Sequence, residues 1–288
     1  MLVDNAVIMA AGTSSRFAPL SYEKHKAMTV VKGEVLIERQ IRQLQEAGIP
    51  EIYIVTGYKA EQFEYLSDKF GVKLLHNNEY LTRNNNGSIY VARDVLKNSY
   101  ICSSDNYFSV NPFEREVSDS YYSALYSDGH TEEWCMTEDD EGFIDSVTVG
   151  GENAWYMLGH CFWSESFSKA FLSLLLKEYD REETKGMLWE TMYMAHLDTL
   201  KMKIRKYESD VIYEFDTLDE LRQFDESYVN DTHSAILRDV ASRLGVKECD
   251  IKNLKSVRGQ NAEAIGFEFV CNSERYRFIY DSGDISRI

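Results

Sequence analysis

Two cations, a turn of small residues and two aspartates at strand ends are the residues here whose types could do chemistry. The run AVIMAAGTSSRFAPLSYEKHKAM, Ala6 to Met28, breaks off an apolar stretch at Gly12, continues through Thr13-Ser14-Ser15-Arg16 and reaches Lys26 ten residues later. A turn of this kind, Ala10, Ala11, Gly12, Thr13 and Ser14, lets backbone N–H groups converge on phosphate oxygens at close range. Arg16 would fork onto such oxygens and Lys26 would meet them as a point charge. The spacing matches neither a Walker A loop nor a GxGxxG fingerprint. An ordinary surface turn with solvated cations fits these residues equally well when they are read alone.

Two further stretches bear on that reading. SYICSSD places Asp105, and VIYEFD places Asp216, at the carboxyl end of a strand, where α/β sheets receive ligands. Two such carboxylates suit Mg²⁺, which keeps waters and substrate phosphates as its other ligands. Asp105 could instead cap a turn, and Asp216 could be the N-cap of the helix that DTLDEL announces. Trp134, Trp155, Trp163 and Trp189, with Glu190 beside the last, offer aromatic faces and a carboxylate that suit a quaternary ammonium, or else form a core. The six histidines show no metal-ligand spacing, and no GxSxG or Cys/His arrangement marks a nucleophile.

The formal net charge of -17 over 288 residues argues against nucleic acid or an anionic membrane as partner, though not against a small anionic ligand. No apolar run approaches the roughly 20 residues of a membrane helix. The start carries no basic region of the kind a signal peptide needs, so none is expected. Five cysteines, none in a CxxC pair, read as reduced thiols of a cytoplasmic protein.

Positioning these residues requires a particular order of elements. Ala6–Ala10, Glu51–Gly57, VKLLHN and Ser99–Asp105 read as strands; Glu34–Ala47, Lys59–Phe70 and Ser88–Leu96 read as the helices between them. That alternation predicts an α/β, Rossmann-like fold with a mixed, mainly parallel central sheet. YYSALY, EEWCMTEDDEGFIDSVTV and AWYMLGHCFW read as antiparallel strands, with Asp140-Glu141-Gly142 as a hairpin turn. Helices follow at Ser164–Tyr179 and Lys185–His196, then a strand MKIRKY. The expected domains are 1–230 and a small α+β module, 231–288, with a helix at Ser234–Leu244, three strands and a tight Asn272-Ser273 connection. About 55 residues make a marginal core, so the module should pack on the main domain or on a second subunit, which allows a homodimer.

These motifs together resemble the nucleotidyltransferases that activate sugar phosphates and small phosphoalcohols, whose opening runs L-A-A-G-x-G-x-R-x-x-P-L and then P-K-A-L. NNEYLTRNNNGSIYVA, NSYICSSDNY, EEWCMTEDDEGFIDSV, MLWETM and VIYEFDT resemble the bacterial CTP:phosphocholine cytidylyltransferase branch, as far as about Tyr228. The resemblance implies that Ala10 to Ser14 and Arg16 hold the triphosphate, and that Lys26 and Arg16 serve catalysis. It implies that Asn84, Asn85, Ser88 and Asp105 lie at the nucleotide, and that Asp105 and Asp216 bind Mg²⁺. Tyr107, Trp134, Trp189 and Glu190 would receive the choline head. Three departures stand out: Ser14 for a glycine, His25 for the proline before the lysine, and Glu190 for an aspartate. The first should deny the loop a glycine's freedom and the second should loosen it. The third makes an ethanolamine-type phosphate or phosphonate an alternative acceptor. The segment IKNLKSVRGQNAEAIGFEFVCNSERYRFIY resembles the first strands of choline-kinase-like phosphotransferases without their catalytic lobe, which implies an accessory or remnant module.

The implied reaction is in-line attack by an acceptor phosphate on the α-phosphorus of CTP with loss of pyrophosphate. A sugar-1-phosphate nucleotidyltransferase using UTP or dTTP is the alternative enzyme. A non-catalytic nucleotide-binding regulator is the alternative of another class.

Overall fold

The computed structural model describes residues 1–259 and 264–288, folded as two compact units. One holds Met1–Gly12 and Leu36–Glu214, the other Thr13–Val35 and Phe215–Ile288.

The sheet of the first unit follows from strands that are apolar on both faces. In Asn5–Ala10 the residues Asn5 to Ile8 are all buried, the pattern of a strand covered from both sides. Seven strands lie in the order Lys203–Lys206, Tyr121–Glu138, Ile144–Trp163, Ser99–Ser103, Asn5–Ala10, Ile52–Thr56, Lys73–His76. The last four run parallel, as does Lys203–Lys206 on Tyr121, while the two long strands pair antiparallel. This is the mixed, mainly parallel sheet that the alternation predicts.

The three antiparallel strands read from the sequence are instead one long hairpin, Tyr121–Glu138 with Ile144–Trp163. Its tip is the predicted turn: the Gly142 N–H donates to the Asp139 carbonyl, and Gly142 takes φ 79°. Register shifts bend the hairpin so far that Cys135 and Met136 pair both with Val147–Thr148 and with Trp155–Tyr156. Sequence alternation does not show where such bulges fall.

The helix Leu36–Glu46 buries Leu36, Ile37, Ile41 and Leu44, as its period requires. Its buried Gln40 and Gln43 donate to the carbonyls of Ser103 and Phe108 at 3.0 and 3.1 Å, and so pin the chain on either side of Asp105.

In the second unit the helix Ala235–Leu244, capped by Ser234, precedes an antiparallel sheet of Lys252–Arg258, Ala264–Cys271, Glu274–Ile279 and Ile285–Arg287. The fourth strand, three residues long, is too short to show a period. Asn272 and Ser273 take φ 51° and 64°, the conformation of a two-residue hairpin turn. Residues 260–263, inside the segment of the kinase-like resemblance, lie outside the described residues.

The unit boundary lies at Glu214–Phe215 rather than at 230–231, and the tail shares its unit with the loop Thr13–Val35. The strand Lys252–Arg258 packs on the turn Ser15–Phe17. Tyr22 stacks on Tyr280 with ring centroids 3.7 Å apart, and Arg222 donates to the carbonyls of Glu248 and Ile251. The short core of the tail is thus covered by its own chain.

One glycine in the first unit is required by close approach. A Cβ at Gly57 would stand 2.8 Å from the Ala11 carbonyl oxygen and 2.8 Å from Tyr80 carbons. Gly57→Ala is expected to destabilise the protein by about 1–3 kcal/mol, read from chemical denaturation; an unchanged midpoint would contradict the close packing at Ala11.

Candidate active site

The small-residue turn adopts the conformation that its sequence departure made doubtful. Ser14 stands where the resembling family has glycine, yet it takes the left-handed conformation, φ 49° and ψ 42°. For a residue with a Cβ this costs on the order of 1 kcal/mol. The Tyr58 N–H donates to the Ala11 carbonyl at 3.0 Å, and the Ser14 carbonyl accepts from the Phe17 N–H at 3.0 Å. Among the described residues, no protein acceptor takes the backbone N–H of Thr13, Ser14 or Ser15. Gly12 is exposed, has no positive φ, and a Cβ there would meet nothing within 4 Å. Consecutive N–H groups around a left-handed residue form an anion-binding nest.

Lys26 is buried, with its side chain 4% exposed, and its Nζ lies 3.3 Å from Asp216 Oδ1 and 5.7 Å from the centroid of the Phe17 ring. Arg16 Nη1 holds the other oxygen, Asp216 Oδ2, at 2.6 Å from an exposed position. His25 does not loosen this segment. Its φ of -57° is one that proline would impose, and its ring Nδ1 accepts from the Ala27 N–H at 3.1 Å, capping the short turn Lys26–Met28.

The helix-cap alternative for Asp216 is also decided. Thr217 is the N-cap of Leu218–Phe224 and accepts from Glu220 N–H, while the Glu220 carboxylate accepts from Asp216 and Thr217 N–H. The Asp216 side chain is therefore left for the cations.

In the first unit, three consecutive asparagines hold one loop. Asn84 Nδ2 donates to the Gly186 carbonyl at 3.2 Å, and buried Asn86 Nδ2 donates to the Thr184 carbonyl at 2.6 Å and to Met187. Asn85 Oδ1 accepts from Trp189 N–H at 2.7 Å while its Nδ2 donates to Glu190 Oε2 at 2.9 Å. This explains why Lys185–His196 is not one helix: the carbonyls of residues 184–187 serve asparagines, and helix resumes only over Trp189–Met194. Asn84 and Asn85 thus position a loop here. Ser88 is buried and accepts from Asn77 Nδ2 at 3.4 Å.

Burial pushes the Glu190 carboxyl up to about 7, against the lowering effect of its bonds from Asn85 and Tyr122. The Tyr122 hydroxyl donates to Glu190 Oε1 at 3.5 Å. Trp189 is 1% exposed, stacked on Tyr122 and enclosed by Trp163 and Phe171, so its indole packs the core. Trp134 is half-buried on the long hairpin opposite Val149.

Glu214 is a residue the sequence reading passed over. It pairs with Asn106 across two short strands, accepts from Asn106 Nδ2 at 3.2 Å, and its charge is felt by Tyr122 and Tyr156. Tyr107 sits on the same ladder, opposite Tyr213 and under Arg39, whose guanidinium is 4.6 Å from its ring centroid. The period-2 pattern of VIYE was the available signal for Glu214.

Asp105 occupies the turn between Ser99–Ser103 and Asn106–Phe108, half-buried. Asp105 and Asp216 are hard oxygen donors, and among the described residues no three His, Cys, Asp or Glu side chains gather into a closed cage. A single carboxylate completed by phosphate oxygens and water can hold Mg²⁺, so each of the two, taken by itself, has donor chemistry that fits that ion.

Residues 6–110 match the MobA-like NTP transferase domain family. The chain is 32% identical over 226 residues to choline-phosphate cytidylyltransferase of Streptococcus pneumoniae, covering 78% of this chain and 99% of that one. It is 35% identical over 229 residues to 2-aminoethylphosphonate cytidylyltransferase of Lancefieldella rimae, covering 78% and 93%. The solved structure of CTP:phosphocholine cytidylyltransferase from S. pneumoniae superposes with a TM-score of 0.75 at 32% identity, over 79% of this chain and 99% of that one. Roughly a fifth of the chain has no counterpart in that protein.

The Glu190 shift has a consequence for stability. The ordinary value is 4.5 and the folded value about 7, so between them the folded chain holds a proton that the unfolded chain has lost. Stability therefore falls as pH rises through that window. Glu190→Gln is expected to gain stability relative to wild type between pH 5 and 8, measured by denaturation at both. A pH-independent difference would contradict the assignment.

Proposed function

The chain belongs to the family of cytidylyltransferases that includes the choline-phosphate and 2-aminoethylphosphonate enzymes, and from that premise we propose that it transfers CMP from CTP to a small phosphorylated amine such as phosphocholine, with release of pyrophosphate. It is a nucleotidyltransferase. The single observation that carries the acceptor reading is the Glu190 carboxyl, enclosed against Tyr122 with Glu214 near enough to be felt. Carboxylates repel the phosphate end of an acceptor and favour a cationic end. A sugar ring, which is uncharged, would donate hydrogen bonds to such carboxylates but gain no charge pairing.

An acceptor phosphate has a second pKa of about 6 and is already an anion at neutral pH, so attack on the α-phosphorus needs no general base. The residues then act by positioning and charge. The nest at Thr13–Ser15 would cradle phosphate oxygens, Arg16 would release Asp216 to fork onto them, and Lys26 would offset negative charge growing at the α-phosphate. We propose Mg²⁺ as cofactor, with Asp105 and Asp216 each a carboxylate to be tested by itself. When bound, Mg²⁺ supplies positive charge to the phosphate oxygens. A cytoplasmic location accords with five free cysteines, and among the described residues no helix is long and apolar enough to cross a membrane.

A second acceptor, 2-aminoethylphosphonate, is favoured by the burial of Trp189, which leaves fewer aromatic faces for a quaternary ammonium than the sequence suggests.

Pyrophosphate release should be measured with CTP and UTP, each crossed with phosphocholine, phosphoethanolamine, 2-aminoethylphosphonate and glucose-1-phosphate. CTP with one of the amines is expected to give the highest kcat/KM; preference for UTP with glucose-1-phosphate would overturn the proposal. Lys26→Ala is expected to lower kcat by about 10²–10³ while CTP affinity changes far less. Equal losses in both would remove Lys26 from the reacting centre.

A further inference from the structure

Asn85 makes two side-chain bonds of opposite sense, and together they leave its amide one orientation. Its Oδ1 accepts from the Trp189 N–H at 2.7 Å, and its Nδ2 donates to Glu190 Oε2 at 2.9 Å. A backbone N–H only donates, so a flipped amide would set two donors against each other at Trp189 and two acceptors at Glu190. Glu190 Oε2 is thereby fixed as an acceptor. When the Glu190 carboxyl holds a proton, that proton is on Oε1. The Tyr122 hydroxyl reaches Oε1 at 3.5 Å, the outer limit of hydrogen bonding, so this oxygen is the less engaged of the two. Glu190 is half-buried, and part of its surface stays open.

The base of Asn85 is held firmly. The Asn84 N–H donates to the Lys185 carbonyl at 2.8 Å, and the Asn85 N–H donates to Asn84 Oδ1 at 2.8 Å. The Asn85 carbonyl accepts from the Ser88 and Ile89 N–H groups at 2.9 and 3.2 Å. Leu188, the N-cap of Trp189–Met194, has no side-chain oxygen, so Asn85 supplies one to the first N–H of that helix. One bond of Asn85 thus serves the helix and the other serves the carboxylate. Asn85→Asp separates them: it keeps an acceptor for Trp189 and turns the contact with Glu190 into one between two acceptors.

We propose that Asn85 is a positioning residue for acceptor choice, binding Glu190 through Oε2 and so leaving Oε1, beside Tyr122, to meet the cationic end of a phosphorylated amine. The acceptor arm rests on the nucleotidyl-transfer reading; the hold of Asn85 on Glu190 does not. Tyr122 and Cys161, from the two strands of the long hairpin, also face Glu190, and burial keeps the phenol and the thiol protonated well past neutrality. Glu214 adds negative charge at Tyr122. Glu190 is the group expected to titrate at about 7.

The Glu190 side-chain carboxyl of the full chain is followed by ¹³C NMR across pH, its signal assigned by Glu190→Gln. A donor to the carboxylate favours the charged form, and two carboxylates in contact share a proton, so Asn85→Asp is expected to raise the midpoint by about one pH unit or more. Asn85→Ala, which removes both bonds, is the second variant and should move the midpoint the same way. Turnover is compared for phosphocholine and its uncharged isostere 3,3-dimethylbutyl phosphate, and for phosphoethanolamine and propyl phosphate. Both members of a pair are phosphate monoesters, so their ratio of kcat/KM cancels the titration of the phosphate. In wild type that ratio should rise with pH through about 7 as Glu190 ionises. In Asn85→Asp the rise should move up with the NMR midpoint, leaving the ratio at neutral pH lower by about threefold or more, while KM for CTP changes by less than about twofold. Glu190→Gln should give a low ratio that is flat in pH. A midpoint or a ratio profile like wild type in Asn85→Asp would overturn the positioning role. Equal losses in KM for CTP and for the amine would overturn it too, as the mark of a loop merely displaced. If neither amine turns over while the midpoint still moves, the acceptor reading fails and the hold of Asn85 on Glu190 stands.

Discussion

A buried ammonium that must be matched by a carboxylate is the constraint on which the second unit depends. Lys26 is 3% exposed, a cation taken out of water. Removing that charge from solvent costs several kcal/mol unless a partner is held in place. Asp216 is that partner at 3.3 Å, 190 positions away in the chain, and Arg16 steadies it from the other side at 2.6 Å. Much of the unit serves this arrangement. His25 caps the turn that presents Lys26, and Thr217 takes over the capping of the helix after Asp216, which keeps the Asp216 carboxylate for the cations. On the proposed function, phosphate oxygens would replace this carboxylate between two cations that are already in place.

In the first unit Glu190 and Glu214 stand near tyrosine rings rather than cations, and desolvation pushes the Glu190 carboxyl up to about 7. Three asparagines fix the neighbouring loop through hydrogen bonds of their side-chain amides, at 2.6–3.2 Å for those with Thr184, Trp189 and Gly186. An enclosed acceptor of this kind is unfavourable by itself and becomes favourable when a cation arrives, which is how a site selects a charged head group by differential burial.

The sheet was legible because its central strands are apolar on both faces and alternate with amphipathic helices. The ladder through Ser99–Ser103, Asn5–Ala10 and Ile52–Thr56 follows directly from that pattern. That Arg16 and Lys26 follow a turn of small residues, and that Asp216 follows a short strand, was legible in the sequence. Three things were not. The bent hairpin depends on bulges that leave the residue alternation nearly intact. The resemblance places the asparagine run at the nucleotide, yet its amides are taken by a loop about a hundred residues downstream. Trp189 reads as a recognition aromatic beside Glu190, but adjacent residues on a helix face different ways, and here the indole turns to the core. The division of the chain was obscured for a related reason: the tail is contiguous in sequence, while the surface that covers it comes from residues 13–35.

The dependence of Lys26 on Asp216 is tested most directly by a double-mutant cycle in denaturant, comparing Lys26→Met, Asp216→Asn and the double substitution. Asp216 is 30% exposed, so solvent moderates the effect. The expected result is that Asp216→Asn is destabilising, that adding Lys26→Met recovers part of the loss, and that the coupling is at least about 1 kcal/mol. Strictly additive losses would show that the buried ammonium does not rely on this carboxylate.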